Sequence, residues 1–436
     1  MAGSRQEQVR IELMHNFDSS IAVAAEMDAA DPLRGFRERF HFPQVNGRDA
    51  LYFTGNSLGL MPKKAREYVE QELVDWETLG VEGHVHAKNP WLPYHEFLTE
   101  PMARVVGAMP SETVVTNALT VNLHLMLVTF YRPTAERNKI LIEKGAFPSD
   151  QYAVESQIKF HGGSVDGSLI ELAPRNGEST LRTEDIIETI EREGDKVALV
   201  MLGGVNYYTG QAFDMAAITA AGHAKGAVVG FDLAHAAGNL ELKMHDWDVD
   251  FAVWCSYKYL NGGPGAVGGL FVHERHAKSF DLPRFAGWWG NNKDTRFLMG
   301  PDFEPLSGAE GWQLSNPPIL QMAALRASLE IFDEAGMSAL RLKSEKLTAY
   351  LEYLLDRIDD RRVSVITPRD PSDRGCQLSI RVQSADKGLF DAISKRGVVA
   401  DWREPDVIRV APVPLYNSFS DVYRFASILR DCLKIR

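Results

Sequence analysis

An aspartate and a lysine set 26 residues apart carry the most specific chemistry in this chain of 436 residues. Asp232 ends the apolar run Val228-Val229-Gly230-Phe231, and Lys258 follows the run at 250–256 within Ser256-Tyr257-Lys258. Both stand where a strand gives way to a loop, and open α/β sheets bind ligands at the carboxyl ends of their strands. One chemistry needs both side chains. A lysine amine can form a Schiff base with pyridoxal 5′-phosphate, while an aspartate facing the pyridine nitrogen keeps it protonated so that the ring accepts electrons. The amine must be neutral to attack, which a nearby positive charge and partial desolvation favour. Taken singly, a helix-capping Asp and a solvated loop Lys are the commoner readings. The shared setting and the glycine-rich stretch after Lys258 turn the balance.

Such a cofactor needs a cradle for its phosphate. Thr116-Asn117-Ala118-Leu119-Thr120 lies between a short strand and an apolar helix expected from about Val121, and a helix N-terminus offers unpaired N–H groups and a hydroxyl to an anion. Capping by Thr120 alone would leave the same sequence. Ala146-Phe147-Pro148-Ser149-Asp150 follows the run at 139–143. Phe147 could lie on the pyridine face and Asp150 approach the ring substituents, the alternative being a plain turn. His84, His86 and Trp91 are candidates for an aryl pocket, and otherwise loop residues. His245-Asp246-Trp247-Asp248 offers metal-ligand types, but adjacent residues cannot all face one ion, so a turn without metal is expected.

Two motif matches fail on context. Gly55-Asn56-Ser57-Leu58-Gly59 fits the nucleophile elbow, which belongs at the top of an established sheet, yet only about fifty mostly helical or irregular residues precede Ser57. Gly263-Pro264-Gly265-Ala266-Val267-Gly268 fits G-x-G-x-x-G but runs into a strand instead of opening a helix.

The elements that must position these residues follow from periodicity. Apolar β-rich runs at 139–143, 196–202, 226–233, 250–256 and 268–273 alternate with helical patterns such as 183–193 and 213–225, the signature of an α/β domain with a largely parallel sheet. Residues 61–79 are expected as an amphipathic helix with Pro62 in its first turn and Gly80 past its end. A helix from Asn316-Pro317-Pro318 to about Glu334 and another over 336–358 lead into strands near 363–367, 375–382 and 407–412, mixed with helices near 385–396 and 420–433. That texture is a smaller α+β domain, with the boundary near 330–336.

Composition bounds the function. The chain is 45% hydrophobic and 24% charged, ordinary for a globular protein. A net charge of −12 argues against general binding of nucleic acid or anionic membrane. No apolar run reaches the roughly 18 residues of a membrane span, and residues 1–17 lack the apolar core of a secretory signal. Cys255, Cys376 and Cys432 are too few and too scattered for a disulfide framework. The expectation is a cytoplasmic enzyme acting on a small molecule.

In this order, YFTGNSLGL, TNALTVNLHL, AFPSDQYAVESQ, NYYTGQAF, FDLAHAAGNLEL, CSYKYLNGG, GWWG, SNPPI and IRVAPVPLYNSFSDVY closely resemble the kynureninase family, over about residues 50–430. The resemblance implies a fold-type-I, aspartate-aminotransferase-like architecture. Its parts would be an N-terminal segment 1–60 packing on the small domain, a large domain 61–332 with a mostly parallel seven-stranded sheet, and a small α+β domain 333–436. It implies pyridoxal 5′-phosphate, a homodimer with shared active sites, and hydrolysis of L-kynurenine or its 3-hydroxy form to anthranilate or 3-hydroxyanthranilate plus L-alanine. Lys258 would be the Schiff-base lysine and Asp232 the pyridinium partner. Leu119, Thr120, Phe147, Pro148, Ser149, Asp150, His235 and Tyr257 would surround the cofactor, with Trp288 and Asn316 reaching it from the partner subunit. Arg409 would clamp the substrate carboxylate, its planar fork suiting two parallel bonds, with Arg381 as rival. Ser57, His84 and Asn316 lean toward 3-hydroxykynurenine. Gly203 departs from the hydroxyl residue common in the family.

In the implied reaction, Lys258 removes the Cα proton, and water assisted by Tyr257 adds to the γ-ketone before the Cβ–Cγ bond breaks. Other readings stay open: an aminotransferase or cysteine-desulfurase-like enzyme of the same fold, a hydrolase using Ser57, or a non-enzymatic binding protein. A desulfurase would need a mobile cysteine, which the strand position of Cys255 and the helix position of Cys432 do not suit.

Overall fold

The computed structural model describes residues 17–434, so the start of the expected N-terminal segment, including most of the stretch read for a secretory signal, lies outside the described residues. The larger sheet has seven strands: β1 (Thr113–Val115), β2 (Lys139–Glu143), β3 (Leu169–Leu172), β4 (Val197–Gly203), β5 (Val228–Asp232), β6 (Phe251–Trp254) and β7 (Gly269–Val272). Their order is β1-β7-β6-β5-β4-β2-β3, and only β7 runs antiparallel to its neighbours. Six of the seven residues of β4 and all of β6 and β7 are buried, as a sheet covered on both faces requires. Gly230 is needed in β5 because a Cβ there would collide with the Phe251 ring.

Helices α1 (Ile21–Ala30), α2 (Lys64–Leu79), α3 (Glu96–Val106), α4 (Leu119–Phe130), α5 (Pro148–Phe160), α6 (Thr183–Glu193), α7 (Met215–Ala224) and α8 (Ile319–Ala335) come before or pack around it. The second sheet, β8 (Val363–Val365), β9 (Leu378–Val382), β10 (Asp401–Arg403) and β11 (Val407–Val410), has the antiparallel order β8-β9-β11-β10. It shares an apolar core with α9 (Met337–Leu355), α10 (Lys387–Lys395), α11 (Phe419–Lys434) and the early residues Ala24, Leu51 and Phe53.

Several expectations need correction. The helix expected over 61–79 starts at Lys64, because Met61 precedes Pro62 and is pushed to extended backbone, where the two pair with Phe40–His41. The Pro-Ser-Asp stretch at 148–150 opens the thirteen-residue helix α5, proline being at ease in a first helical turn. The connection from Asp232 to β6 is a series of turns without a helix, broken by positive φ at Gly238 and Asp248. Asp246 and Asp248 do lie in a turn, while His245 stacks on His273 and sits 2.9 Å from Glu112. No helix among the described residues is long and apolar enough to cross a membrane.

Candidate active site

The parallel strands deliver polar groups to one edge of the sheet. β2 ends in Glu143, β4 in Gly203 and β5 in Asp232, and β6 leads four residues later to Lys258. Register places Asp232 between Gly203 and Val253 on its two neighbours. These ends floor a cleft of about 520 Å³. It brings together Leu119, Thr120, Phe147, Ser149, Asp150, Asp232, His235, Tyr257 and Lys258 from the predicted set, and Pro148 sits beside them as the first residue of α5.

Lys258 is buried, with Nζ 3.0 Å from His235 Nε2 and 5.6 Å from the centre of the Phe147 ring. Burial, and then the charge of Lys258, push the His235 imidazole well below its usual range, so the ring is neutral. Burial raises Asp232, against the Ala234 N–H and Lys258, which favour its charged form. Burial and then the negative charge of Asp232 hold Asp150 well above the carboxylate range. Burial lifts Glu143 to about 7, although the Gly203 N–H reaches it at 3.3 Å. Three carboxyls thus crowd one amine, and they cannot all ionise together.

This arrangement is incomplete on its own terms. Asp150 Oδ1 and His235 Nδ1 are buried without a hydrogen-bond partner. Unsatisfied buried acceptors beside surplus carboxyls call for a ligand bearing a cationic or donor ring nitrogen, which a pyridinium supplies. The other end of such a ligand meets α4, which starts at Leu119, two residues before expectation. Its N-cap, Ala118, has no capping side chain and Thr120 lies inside the first turn, so capping does not explain the threonine. The first-turn N–H groups of a twelve-residue helix therefore border the cleft beside a hydroxyl.

The Gly55–Gly59 turn serves this floor. Ser57 and Leu58 both donate N–H bonds to Thr54 O, at 2.8 and 2.9 Å, and no helix follows, so the nucleophile-elbow geometry is absent. Gly59 donates to Tyr257 O at 2.8 Å, and a Cβ on it would strike the Lys258 carbonyl.

The small sheet closes one side. Gln377 and Ser379 bond the carbonyls of Tyr207 and Tyr208, and the fully buried Arg409 bonds the Tyr207 carbonyl and Asp401. Its rival Arg381 is 39% exposed and lies beside Asp406. Ser57, His84, Trp288 and Asn316 do not line the cleft within one chain, and Arg409 reaches it only through Tyr207. Ser57 and Asn316 are exposed, and Trp288 meets Phe297 and Trp289 edge-on. His84 meets Trp91 edge-on, with centroids 5.4 Å apart, while His86 lies exposed 3.8 Å from Glu82. The three cysteines are free and buried, none placed as a mobile nucleophile. Sequence reasoning missed Glu143, Tyr207, Asp401 and Arg403. Glu143 had the signal that found Asp232, a carboxylate ending an apolar run.

The architecture is that of the fold-type-I enzymes. A solved structure of C-DES carrying glycine covalently linked to its PLP cofactor superimposes with a TM-score of 0.74 at 18% identity, covering 88% of this chain and 96% of that one. Residues 340–429 match the model of the kynureninase C-terminal domain. The kynureninase of Koribacter versatilis is 65% identical over 410 residues, 94% of this chain and 97% of that protein. That of Myxococcus xanthus is 64% identical over 414 residues, 95% of this chain and 97% of that protein. The chain belongs to the kynureninase family.

Proposed function

We propose that this chain binds pyridoxal 5′-phosphate at Lys258 and hydrolyses kynurenine-class substrates, L-kynurenine or 3-hydroxy-L-kynurenine, to the corresponding anthranilate and L-alanine. The observation that carries this reading is the meeting of Lys258, Asp232 and Asp150 in one buried cleft of a kynureninase-family chain. The bound cofactor supplies an electron sink that drains the bonds at the substrate's α- and β-carbons.

The chain's own residues do the rest. Asp232 would hold the cofactor's ring nitrogen cationic, and Asp150, raised by the same burial, would bring a proton to the ring substituents. Phe147 would pack against the cofactor's ring, and the start of α4 with Thr120 would hold its phosphate. Lys258 would hold the cofactor's aldehyde carbon and, as a free amine, would take the Cα proton beside a neutral His235 that does not compete as a cation. Tyr257, whose phenol burial holds protonated, donates toward the γ-carbonyl as water adds. Arg409 pairs with the α-carboxylate.

Trp288 and Asn316 complete the site from a second subunit of a homodimer, in keeping with their absence from the lining of the chain's own cleft. Ser57, His84 and Asn316 read the aryl ring and favour the 3-hydroxy form. The enzyme is cytoplasmic and serves tryptophan degradation through kynurenine, with NAD biosynthesis as the further route its aryl product could feed. Residues 61–332 and 333–436 act as its large and small domains.

The test is turnover of kynurenine and 3-hydroxykynurenine in parallel, with borohydride trapping and peptide mapping of the cofactor linkage. A linkage at Lys258 with an aryl product and alanine supports the reading; a linkage elsewhere, or keto acid without aryl product, overturns it. Altering His84 and Asn316 together must change the ratio of the two rates, or the aryl assignment fails.

A further inference from the structure

The small sheet holds a second charged group that the reading above uses only in part. Asp401 and Arg403 lie on β10 and Arg409 on β11, and the antiparallel register sets Asp401 directly opposite Arg409. Side chains alternate along a strand, so Arg403 shares the face of Asp401 while Trp402 turns the other way, onto Phe390. One atom, Asp401 Oδ2, takes both arginines: Arg409 Nη2, and Arg403 Nη2 at 3.1 Å. The two differ in setting. Arg409 has a side chain 1% exposed and spends Nη1 on the Tyr207 carbonyl, whereas Arg403 is 36% exposed.

Buried Nε of Arg409 has no partner. Both guanidinium groups lie near the Tyr207 ring, at 6.0 and 5.8 Å, and Tyr207 lines the cleft. The trio carries one net positive charge, the complement of one carboxylate. A buried guanidinium without a counter-ion is costly, so Arg409 needs an anion even when the cleft holds no substrate.

We propose that Asp401 is a built-in stand-in for the substrate's carboxylate and that Arg403 draws Asp401 away from Arg409 when that carboxylate arrives. Asp401 and Arg403 are then positioning residues, acting on substrate through Arg409. The inference rests on the reading of Arg409 as the carboxylate clamp. It has a distinctive sign. Arg403→Gln leaves Asp401 with one arginine, so it grips Arg409 more firmly and competes harder with substrate. Asp401→Asn keeps the shape and removes the competitor.

In the holoenzyme, Arg403→Gln should raise KM for kynurenine about fivefold, and Asp401→Asn should lower it by a similar factor, the change falling on KM more than on kcat. A direct readout uses the cofactor absorbance to follow binding of L-alanine and of L-alaninol, which lacks the carboxylate. The two opposite shifts should appear with alanine and vanish with alaninol. Shifts of the same sign in both variants, or equal shifts with the two ligands, overturn the proposal, because a merely structural role would weaken all binding together. Should Asp401→Asn fail to fold, Arg403→Gln with alanine against alaninol decides alone. Failure of the wild-type holoenzyme to cleave kynurenine while the alanine shifts persist would remove the proposed activity and leave this inference standing.

Discussion

The two ends of the seven-stranded sheet are both crowded with ionisable groups, yet they are organised in opposite ways. At the amino-terminal end of the parallel strands the two buried carboxylates Asp250 and Glu112 are fully answered. Asp250, just before β6, accepts from His223 at 2.8 Å, His276 at 2.8 Å, Arg275 at 2.6 Å and the Val229 N–H at 2.8 Å. Glu112, just before β1, takes the N–H groups of Met109 and Glu274, each at 2.8 Å, together with His245. At the carboxyl-terminal end Glu143, Asp150 and Asp232 share one lysine and a neutral histidine, and two polar atoms there stay unpartnered. The shifts record the contrast: Asp250 is held far below the carboxylate range by its hydrogen bonds and charges despite burial, whereas burial wins at the other end. A saturated cluster is a fastening, and a deficient one is a receptacle. Buried polar groups left short of partners mark where a ligand belongs.

The largest effect that could break this comparison is at the receptacle. Lys258→Ala should lower kynurenine turnover by on the order of a thousandfold or more while the thermal unfolding of the chain changes little. A variant that keeps its rate would remove the lysine from the chemistry. Next comes the fastening. Asp250→Asn should cost roughly 3–5 kcal/mol in denaturant unfolding, because Arg275 and two histidines lose their buried acceptor, while folded molecules keep their turnover. An inactive but stable variant would reverse the assignment of the two ends.

Glu143→Gln sharpens the contrast through pH. A carboxyl raised to about 7 in the folded chain stabilises it fully at pH below the unfolded value, and that stability is lost as pH rises through 7. Unfolding of the cofactor-free protein should therefore show the variant gaining about 3 kcal/mol on the wild type between pH 4.5 and pH 8. A flat difference would mean that Glu143 is ionised throughout. The smallest effect concerns His223, which its bond to Asp250 raises. Its contribution is complete below the unfolded value near 6.5 and fades as pH climbs through the folded one, by a few tenths of a kcal/mol since the ring is part exposed. His223→Asn should flatten that slope in melting temperatures taken from pH 6 to 9.

How much of this was legible beforehand depended on whether the signal was local. Helix 183–193 was bounded to the residue, because apolar periodicity and acidic first-turn residues sit within the element itself. Asp232 and Lys258 stood out because their types and spacing suit one reaction. Strand β10 escaped notice: Asp-Trp-Arg has polar ends and becomes a strand only through its pairing with β11. Helix α5 hid behind Pro-Ser-Asp, a triplet equally at home in a turn. Glu143 carried the same mark as Asp232, a carboxylate ending an apolar run, but no lysine stood at a telling spacing from it, and only the sheet brings Gly203 and Asp232 beside it. The residues that one chain leaves outside the cleft, Trp288 and Asn316, had only the family resemblance to speak for them.

The turn beneath Tyr257 and Lys258 is anchored by residues 411–417. Thr54 bridges to Ala411, and the Tyr52 carbonyl is held by Asn417 at 2.9 Å. Residues before the large sheet are thus locked by residues that follow the small one. The floor under Lys258 therefore depends on closing a loop of 365 residues, so it forms late in folding, after the local elements it joins.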